Sequence, residues 1–406
     1  MAGIKNEQAW NTLAVVMVSL MLVFVSTSPA FALGEGSRNL LLIGLMAGSP
    51  LLLLFFPAVN WRVELAVLIL ILLQLLLPAL RHPDTMRIST FLFSCLFYVF
   101  FLVYTRVLGY GAFTLDHFAG VLKGLLYAYF IVLLIQQICV LGHFPIFNLG
   151  IGYDGIHDKW KLNSLMSESS HAARVTSLLM YVYVSVRKLQ IPDYSLRNSF
   201  ILDGGVWVAF LWPALTMMSS TAFLFMILVF LSFVDFQRDK LSLLVVIVAI
   251  IPVLFVVRQL PQFRRMERFA RAVMTLDVQA IDQADNSAAQ RVVPSLNALE
   301  VIGFSSADDW FGHGVDADAE LVTPARGAIV ITGGAFSVWI NYGLLFQLIF
   351  WLFTFFIIHN RMNIGTWIIW LLYVFMYGVI NSQIVWFAMI MMYTLKYLQH
   401  NEDPAL

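Results

Sequence analysis

Residues 63–80 read VELAVLILILLQLLLPAL, an apolar stretch in which Glu64 is the only charged side chain. A helix needs about 20 predominantly apolar residues to cross a hydrocarbon core of roughly 30 Å, because every backbone group must be paired within the segment. This stretch is therefore long and apolar enough to be a membrane-spanning helix. Similar runs recur along most of the chain, which predicts a polytopic helical membrane protein.

We predict an all-α fold with about 12 transmembrane helices. The predicted spans lie near Thr12–Val25, Leu40–Ala58, Val63–Leu80, Ile88–Val107, Ala119–Leu141, His171–Val186, Ile201–Met217, Thr221–Val234, Leu241–Val257, Phe336–Ile358, Trp367–Ile380 and Ile384–Leu398. The first span has an alternative interpretation, because the apolar stretch that ends in Ala30-Phe31-Ala32 is typical of a signal peptide with a small-residue cleavage site. Residues 1–406 are predicted to form a single transmembrane domain.

The composition agrees with a membrane location. Of 406 residues, 60% are hydrophobic and 12% are charged, whereas an ordinary soluble domain is near a quarter charged. The formal net charge is zero, so no global basic field indicates a nucleic-acid partner. The two cysteines, Cys95 and Cys139, both lie in apolar runs, where two thiols cannot build a disulfide framework or a metal site.

Lysine and arginine in short loops predict the orientation of the chain. The loops that we expect on the cytoplasmic side carry Arg187, Lys188, Arg197, Arg238, Lys240 and Arg361. Counting spans from these loops places both termini inside and two polar segments, Gly142–Ser170 and Arg258–Ala335, outside. The loop with Arg81 and Arg87 also falls outside in this count, which is against the rule.

The first external segment ends in polar residues as the chain enters the membrane. If a helix begins near Ser167, then Glu168, His171 and Arg174 lie at positions i, i+3 and i+6, and the first two share a face. A carboxylate beside an imidazole at a membrane rim can act as a general base. The alternative is a capped helix start, with Ser167 as N-cap and Glu168 in the first turn. Arg174 favours a functional site, because an arginine inside a span is usually kept for a partner or ligand.

The second external segment, Arg258–Ala335, is too long to be a structureless loop and has helical patterning. Arg264, Arg268 and Arg271 recur on one face, and Ser287 and Gln290 have capping-box spacing ahead of Pro294, which should kink or end the helix there. We therefore expect two short amphipathic helices at the membrane surface.

The charges of this loop are segregated along the sequence. Arginines concentrate in its first half, up to Arg291, and acidic residues crowd the part from Asp308 to Glu320. The loop contains no lysine. Arginine suits bidentate binding of phosphate, so a pyrophosphate-bearing lipid fits this choice. An interfacial helix whose arginines reach towards lipid headgroups is the structural alternative for the stripe that begins at Arg264.

Alternating glycines follow an aromatic pair later in the same loop, in Trp310-Phe311-Gly312-His313-Gly314. This pattern predicts a tight turn at which the backbone can approach a ligand. His313 and the nearby aspartates match no standard metal-binding spacing, so we predict no metal and no other cofactor.

These features resemble the Wzy-type O-antigen and exopolysaccharide polymerases. The resemblance rests on many apolar spans, on Glu168-Ser169-Ser170-His171 where the family often has Glu-Pro-Ser-His, and on Arg291 ahead of the turn Gly312-His313-Gly314. The related O-antigen ligases usually carry a histidine near the end of the large loop, and residues 331–336 contain none. The resemblance therefore favours a polymerase over a ligase.

The resemblance implies a metal-independent glycosyltransferase with a GT-C-like fold in the bacterial inner membrane, with its active site facing the periplasm. The implied donor and acceptor are polyprenyl-pyrophosphate-linked glycans, and a chain-length regulator of the same pathway is an implied partner. Glu168 or His171 would be the base, and Arg174 with Arg291 would hold the departing pyrophosphate. The further substrate-binding candidates are Arg264, Arg268 and His313.

Two other classes fit parts of the sequence. A flippase or transporter of the same lipid would have similar spans, but coupled carriers usually bury acidic residues at mid-membrane, and the predicted spans show none there. An O-antigen ligase differs from a polymerase only in its acceptor. The sugar repeat unit and its linkage do not follow from the sequence.

Overall fold

The fold is described from a computed structural model of the chain. The structure describes residues 2–29, 31–33, 36–57, 60–146, 162–217, 220–233, 267–268, 271–275, 278–284, 286–323, 334–360 and 365–402. The predicted span Leu241–Val257 and the candidate Arg264 lie outside these residues.

The described chain is helical apart from one short antiparallel hairpin, β1 (Phe31–Leu33) and β2 (Gly36–Arg38). The helices are α1 (Ala2–Ser26), α2 (Leu40–Gly48), α3 (Trp61–Arg81), α4 (Ile88–Gly109), α5 (Leu115–Leu141), α6 (Ser169–Gln190), α7 (Leu196–Leu202), α8 (Gly204–Thr216), α9 (Ser220–Leu231), α10 (Val278–Ala284), α11 (Asn286–Ala298), α12 (Ala307–Phe311), α13 (Asp318–Leu321), α14 (Ser337–Ile358), α15 (Gly365–Trp370) and α16 (Gln383–Glu402). Short 3-10 turns lie at Ser49–Leu54, Pro83–Thr85 and Gly334–Phe336, and a π-helical segment, Leu371–Phe375, follows α15.

Five of the described helices are long and apolar enough to cross a membrane, and a bent pair raises the number to six. The five are Gln8–Ser26, Trp61–Arg81, Ile88–Gly109, Leu115–Leu141 and Gly334–Ile358. The bent pair is α7 with α8, which meet at 103°. Each predicted span within the described residues falls on a helix, but α2, α9 and α15 are short, and α6 and α16 are not among the five. The length and composition of these helices support the prediction of a helical membrane protein. The predicted number of twelve transmembrane helices is not confirmed by the described residues.

The chain divides into two compact units. The first comprises Met1–Phe56, Tyr104–Phe255 and Ile390–Leu406, and the second comprises Pro57–Val103 and Val256–Met389. In the first unit, α6 is a central helix that packs against α5, α8 and α9 and is buried along most of its length, and α1 packs against α5. In the second unit, α14 packs against α3 and α12.

The bend between α7 and α8 is held in the first unit by hydrogen bonds and an ion pair to the buried Asp203. The carboxylate of Asp203, at the break, accepts hydrogen bonds from the Tyr183 hydroxyl at 2.9 Å and the Tyr194 hydroxyl at 2.8 Å. It also accepts one from Nε of Arg187, at the end of α6, at 3.0 Å. The partners satisfy the buried charge, so this cluster fixes the bend and joins α6 to it.

A second irregularity lies in α14 of the second unit. Gly343 interrupts the helix with φ 89° and ψ 161°, which L side chains rarely adopt. A Cβ at this position would overlap backbone atoms of Trp310 and Phe311 at the end of α12. Gly312, with φ 95°, packs reciprocally against the backbone of Asn341 and Tyr342. The two glycines therefore let α12 and the broken part of α14 touch backbone to backbone.

The helices of the large loop differ in part from the prediction. Two helices, α10 and α11, pack around a small apolar cluster that includes Ile281, Ala289 and Val293, and two single-turn helices, α12 and α13, follow them. Pro294 does not end α11, which continues to Ala298. A proline inside a helix has no N–H to donate, and its ring crowds the preceding turn. A helix can still continue past a proline when that turn bends to make room for the ring.

Candidate functional site

The predicted acid–histidine pair forms at the start of α6. Nε2 of His171 lies 3.4 Å from Oε2 of Glu168, and the two side chains retain 29% and 48% of their exposure. The helix begins at Ser169, two residues later than predicted, so Glu168 and not Ser167 is the N-cap residue. The Glu168 side chain makes no capping hydrogen bond in the described structure. The alternative in which Ser167 caps the helix is therefore wrong, and the carboxylate faces the imidazole.

Arg174 lies one turn further along α6, as the spacing predicted. The residue is 7% exposed, and its guanidinium carbon lies 5.7 Å from the ring centre of Phe225 on α9. A cation above an aromatic face is attracted by the ring quadrupole. Arg174 thus places a buried positive charge between α6 and α9, on the same helix as Glu168 and His171.

A network of buried polar groups fixes the chain just before Glu168. Gln136 of α5 donates from Nε2 to Oδ1 of Asn163 at 3.1 Å, and its Oε1 accepts the backbone N–H of Ser164 at 2.9 Å. The Ser164 hydroxyl donates to the backbone carbonyl of Tyr129 at 2.7 Å. Ser164 itself has φ 50°, which is uncommon for a residue with a side chain. These bonds hold the 162–166 segment against α5 and so define where the Glu168–His171 pair begins.

The other predicted ligand residues belong to the second unit. Arg268 is exposed, and its neighbour Arg271 forms an i, i+4 ion pair with Glu267 at 2.6 Å. Arg291 lies in α11, and its side chain is outside what the structure describes. The structure therefore pairs Glu168, at the N-cap, with His171 in the first turn of α6 and places Arg174 in the next turn, and the roles of all the site residues stay predictions.

His313 lies beside the break in α14. Its Nε2 is 3.9 Å from Oδ1 of Asp309, and its backbone N–H donates to the carbonyl of Ile340 at 2.8 Å. The N–H of Gly314 donates to the carbonyl of Asn341 at 3.3 Å. The alternating glycines thus bring the loop backbone to carbonyls of α14, and the approach of this turn to a ligand stays a prediction.

The acidic half of the large loop pairs with arginines near the start of the chain's second unit. Nη2 of Arg81, at the end of α3, is 2.6 Å from Oδ1 of Asp308, and Nη1 of Arg87 is 3.3 Å from Oδ2 of Asp316. The hydrogen bond from Arg81 lowers the pKa of Asp308. The connection between α3 and α4 therefore lies at the same end of this unit as residues 308–316.

Asp309 has a structural role next to this contact. Its carboxylate accepts the backbone N–H of Ser306 at 2.8 Å, and the Ser306 hydroxyl accepts the N–H of Asp309 at 3.0 Å, which makes a capping box for α12. The backbone hydrogen bond from Ser306 is the largest effect that lowers the pKa of Asp309. Asp309 thus stabilises the fold of the loop, and His313 lies next to it.

A polar cavity of about 240 Å³ lies between these elements, within the second unit. Its lining is rich in carboxylate, amide and hydroxyl groups. The lining residues are Arg87, Thr90, Asp316, Asp318, Ala319, Ser337, Val338, Asn341, Tyr342, Val379, Ile380 and Asn381. Sequence reasoning identified none of these as site residues, because they come from four separate parts of the chain. The available signal was the pair of external arginines, Arg81 and Arg87, that broke the charge rule for orientation.

Within the described residues, no group of three or more histidine, cysteine, aspartate or glutamate side chains is placed to hold a metal ion. Comparison of the chain with family models, curated proteins and solved structures finds no match. The candidate chemistry therefore depends on the two arrangements described above, the Glu168–His171 pair with Arg174 and the polar cavity beside α14.

Proposed function

We propose that this protein is a membrane glycosyltransferase that joins polyprenyl-pyrophosphate-linked oligosaccharide repeat units into a surface polysaccharide. The observation that carries the proposal is the Glu168–His171 pair at the start of α6, with a carboxylate that is half-exposed and not used as a helix cap. The family resemblance of the Glu-Ser-Ser-His stretch supports the same assignment. A fold with about twelve spans and a GT-C-like arrangement belongs to this proposal.

The reaction needs a base and a stabilised leaving group. The Glu168 carboxylate takes the proton of the acceptor hydroxyl while that oxygen forms a bond to the anomeric carbon of the donor. The bond between the anomeric carbon and the pyrophosphate oxygen breaks, and its electron pair leaves with the polyprenyl pyrophosphate. His171, 3.4 Å from the carboxylate, orients the base.

Positive charge is needed where the pyrophosphate departs. Arg174 supplies a buried guanidinium on the same helix as the base, and a charge in a low-dielectric site acts more strongly than one in water. Arg291 is proposed as a second, bidentate pyrophosphate ligand on the resemblance alone. The active site would face the periplasm of a bacterial inner membrane, where lipid-linked repeat units are joined.

The decisive experiment replaces the base without changing its shape. Loss of a general base typically costs about 10² to 10⁴ in rate, so Glu168→Gln should leave single repeat units on the lipid carrier in place of a polymer ladder. His171→Ala should shorten the ladder less, because the carboxylate remains. The readout is the polymer length distribution on a gel, at matched amounts of each variant in the membrane.

Glutamine keeps the size and the hydrogen-bonding capacity of the side chain, so a capping role would survive Glu168→Gln almost unchanged. A wild-type ladder from this variant would remove Glu168 as the base. A ladder that is lost in His171→Ala but kept in Glu168→Gln would transfer the role to the imidazole.

A further inference from the structure

Irregular backbone surrounds the polar cavity of the second unit. Gly343 breaks α14 directly after the lining residues Asn341 and Tyr342, and Asp316 has φ 62°. The π-helical segment Leu371–Phe375 precedes the lining residues Val379–Asn381. Non-helical backbone inside an apolar bundle is tolerated where it is buried in protein or lines a cavity, and π-helical turns often occur at functional sites. Irregular backbone therefore occurs in the lining at Asp316 and directly after the lining residue Tyr342, at Gly343.

Buried polar groups continue behind the cavity wall. Nε2 of Gln74, a fully buried residue of α3, donates to the hydroxyl of the lining residue Tyr342 at 3.1 Å. Its Oε1 has no hydrogen-bond partner among the residues that the structure describes. Buried polar atoms are normally satisfied by protein, ligand or water. A buried polar contact thus continues from the lining residue Tyr342 to Gln74 behind the cavity wall.

The charges of the lining exclude an anionic occupant. Asp316 and Asp318 carry two negative charges, and Arg87 carries one positive charge that is already paired with Asp316. A pyrophosphate would therefore meet a net negative wall. A cation is also disfavoured, because Arg87 occupies Asp316 and the buried Asp318 accepts the hydroxyl of Ser337.

The remaining chemistry matches a neutral polyol. Carboxylates accept hydrogen bonds from hydroxyl groups, and the amides of Asn341 and Asn381 and the hydroxyl of Thr90 can both donate and accept. The volume of about 240 Å³ lies below the roughly 300–1,000 Å³ of pockets that hold drug-sized ligands. It is many times the ≈30 Å³ share of one water molecule. A single sugar ring suits this range.

We infer that this cavity is a carbohydrate subsite that binds one neutral, hydroxyl-rich sugar ring. The choice of a sugar draws on the proposed function, but binding can be measured without polymerisation. Within that function the cavity would hold a ring of the glycan, at a place that is chemically unsuited to the pyrophosphate.

The test uses the full-length protein in lipid nanodiscs and saturation-transfer NMR. Glucose, galactose, mannose and N-acetylglucosamine are the sugar probes. Inorganic pyrophosphate is the anionic probe, and because it has no C–H protons its binding is followed by broadening of its phosphorus-31 resonance. At least one sugar should show saturation transfer in the wild type. Ala319→Phe, which fills the cavity without changing a polar lining group, should abolish the signal.

Two more variants make the result specific. Asp316→Asn is nearly isosteric and removes a charged acceptor, so it should weaken the sugar Kd about tenfold, equivalent to about 1.4 kcal/mol. Glu320→Gln, an exposed residue of α13 that does not line the cavity, is the matched control and should bind as the wild type does.

Failure here and failure of the proposed function give different results. Glu168→Gln should lose the polymer ladder but keep the saturation transfer. The subsite is refuted if no sugar probe binds, if both Ala319→Phe and Asp316→Asn bind as tightly as Glu320→Gln does, or if pyrophosphate binds and is lost in Ala319→Phe. A lost ladder with no sugar binding would leave the polymerase proposal standing without this subsite.

Discussion

Gln136→Leu tests whether the hydrogen bonds that hold residues 162–166 are needed for the activity of the Glu168–His171 pair as well as for the stability of the fold. Gln136 is fully buried, and leucine, which is apolar and of broadly similar volume, has neither of its polar atoms. The substitution removes the acceptor of the Ser164 N–H and the donor to Oδ1 of Asn163. Each buried group that loses its partner costs about 1–3 kcal/mol, so two groups less the gain from burying leucine give a destabilisation of about 2–4 kcal/mol.

The loss should also appear in activity, because the bonds that fail are those that hold the segment before Glu168. We expect equilibrium unfolding in mixed detergent micelles to show the lower stability. The polymer ladder should shorten even at a temperature at which the variant remains folded. Intrinsic tryptophan fluorescence can verify the folded fraction in the same samples.

The neighbouring residue provides the matched control. Gln137 is also a buried glutamine of α5, but it bridges to α8, where its Nε2 donates to the Thr216 hydroxyl at 2.9 Å and its Oε1 accepts from Nε1 of Trp212 at 2.9 Å. Gln137→Leu should lower stability by a similar amount and keep the ladder. Equal ladders from the two variants at equal folded fractions would refute the assignment of the 162–166 segment as the support of the site.

Two further predictions concern the second unit. Gly343→Ala should lower the free energy of unfolding by at least about 2 kcal/mol, because it forces a side chain into a glycine-only conformation against the backbone of α12. The control is Gly124→Ala in α5, where a Cβ meets open space. In the same unfolding assay this control should be neutral or slightly stabilising. The pKa of Asp308 is lowered in the folded state. The contribution of Asp308 to stability is therefore present above the unfolded pKa of about 3.9 and is lost as the pH falls through the lower folded pKa. When the melting temperature is measured from pH 6 downwards, it should begin to decrease at about pH 4, and it should decrease less steeply in Asp308→Asn.

The sequence was sufficient for local features and insufficient for those that depend on distant residues. Apolar runs predicted helices because backbone pairing and side-chain burial are local requirements, and the spacing of Glu168 and His171 predicted their contact for the same reason. The sequence predicts the start of α6 two residues too early, because serine is a favoured N-cap residue and the path of the entering chain, which decides the position of the cap, is not a local property. The network from Gln136 to Ser164 could not be predicted, since its partners lie 28 residues apart and are joined by folding.

The break in α14 also could not be predicted from the local sequence, because it depends on a contact with a distant segment. An isolated glycine in an apolar span is usually an ordinary helical residue, so Gly343 gave no sign of its positive φ. Its conformation depends on the approach of α12, and that approach depends in turn on Gly312. Only the paired glycines, one in each segment, explain the contact, and neither has this meaning when its own segment is read alone.

The ion pairs of Arg81 and Arg87 bear on the orientation of the whole chain. The charge rule concerns arginines that must stay on the cytoplasmic side during insertion, and these two side chains instead meet Asp308 and Asp316 of the large loop. Because each arginine has an acidic partner, its position is explained by the contact and need not indicate the cytoplasmic side. Arg38, Lys159 and Lys161 also fall outside in this count, whereas Arg187, Lys188, Arg197, Arg238, Lys240 and Arg361 agree with an orientation in which both termini lie inside and residues 258–335 lie outside. That orientation stays a prediction, and the contacts with Asp308 and Asp316 account for the positions of Arg81 and Arg87.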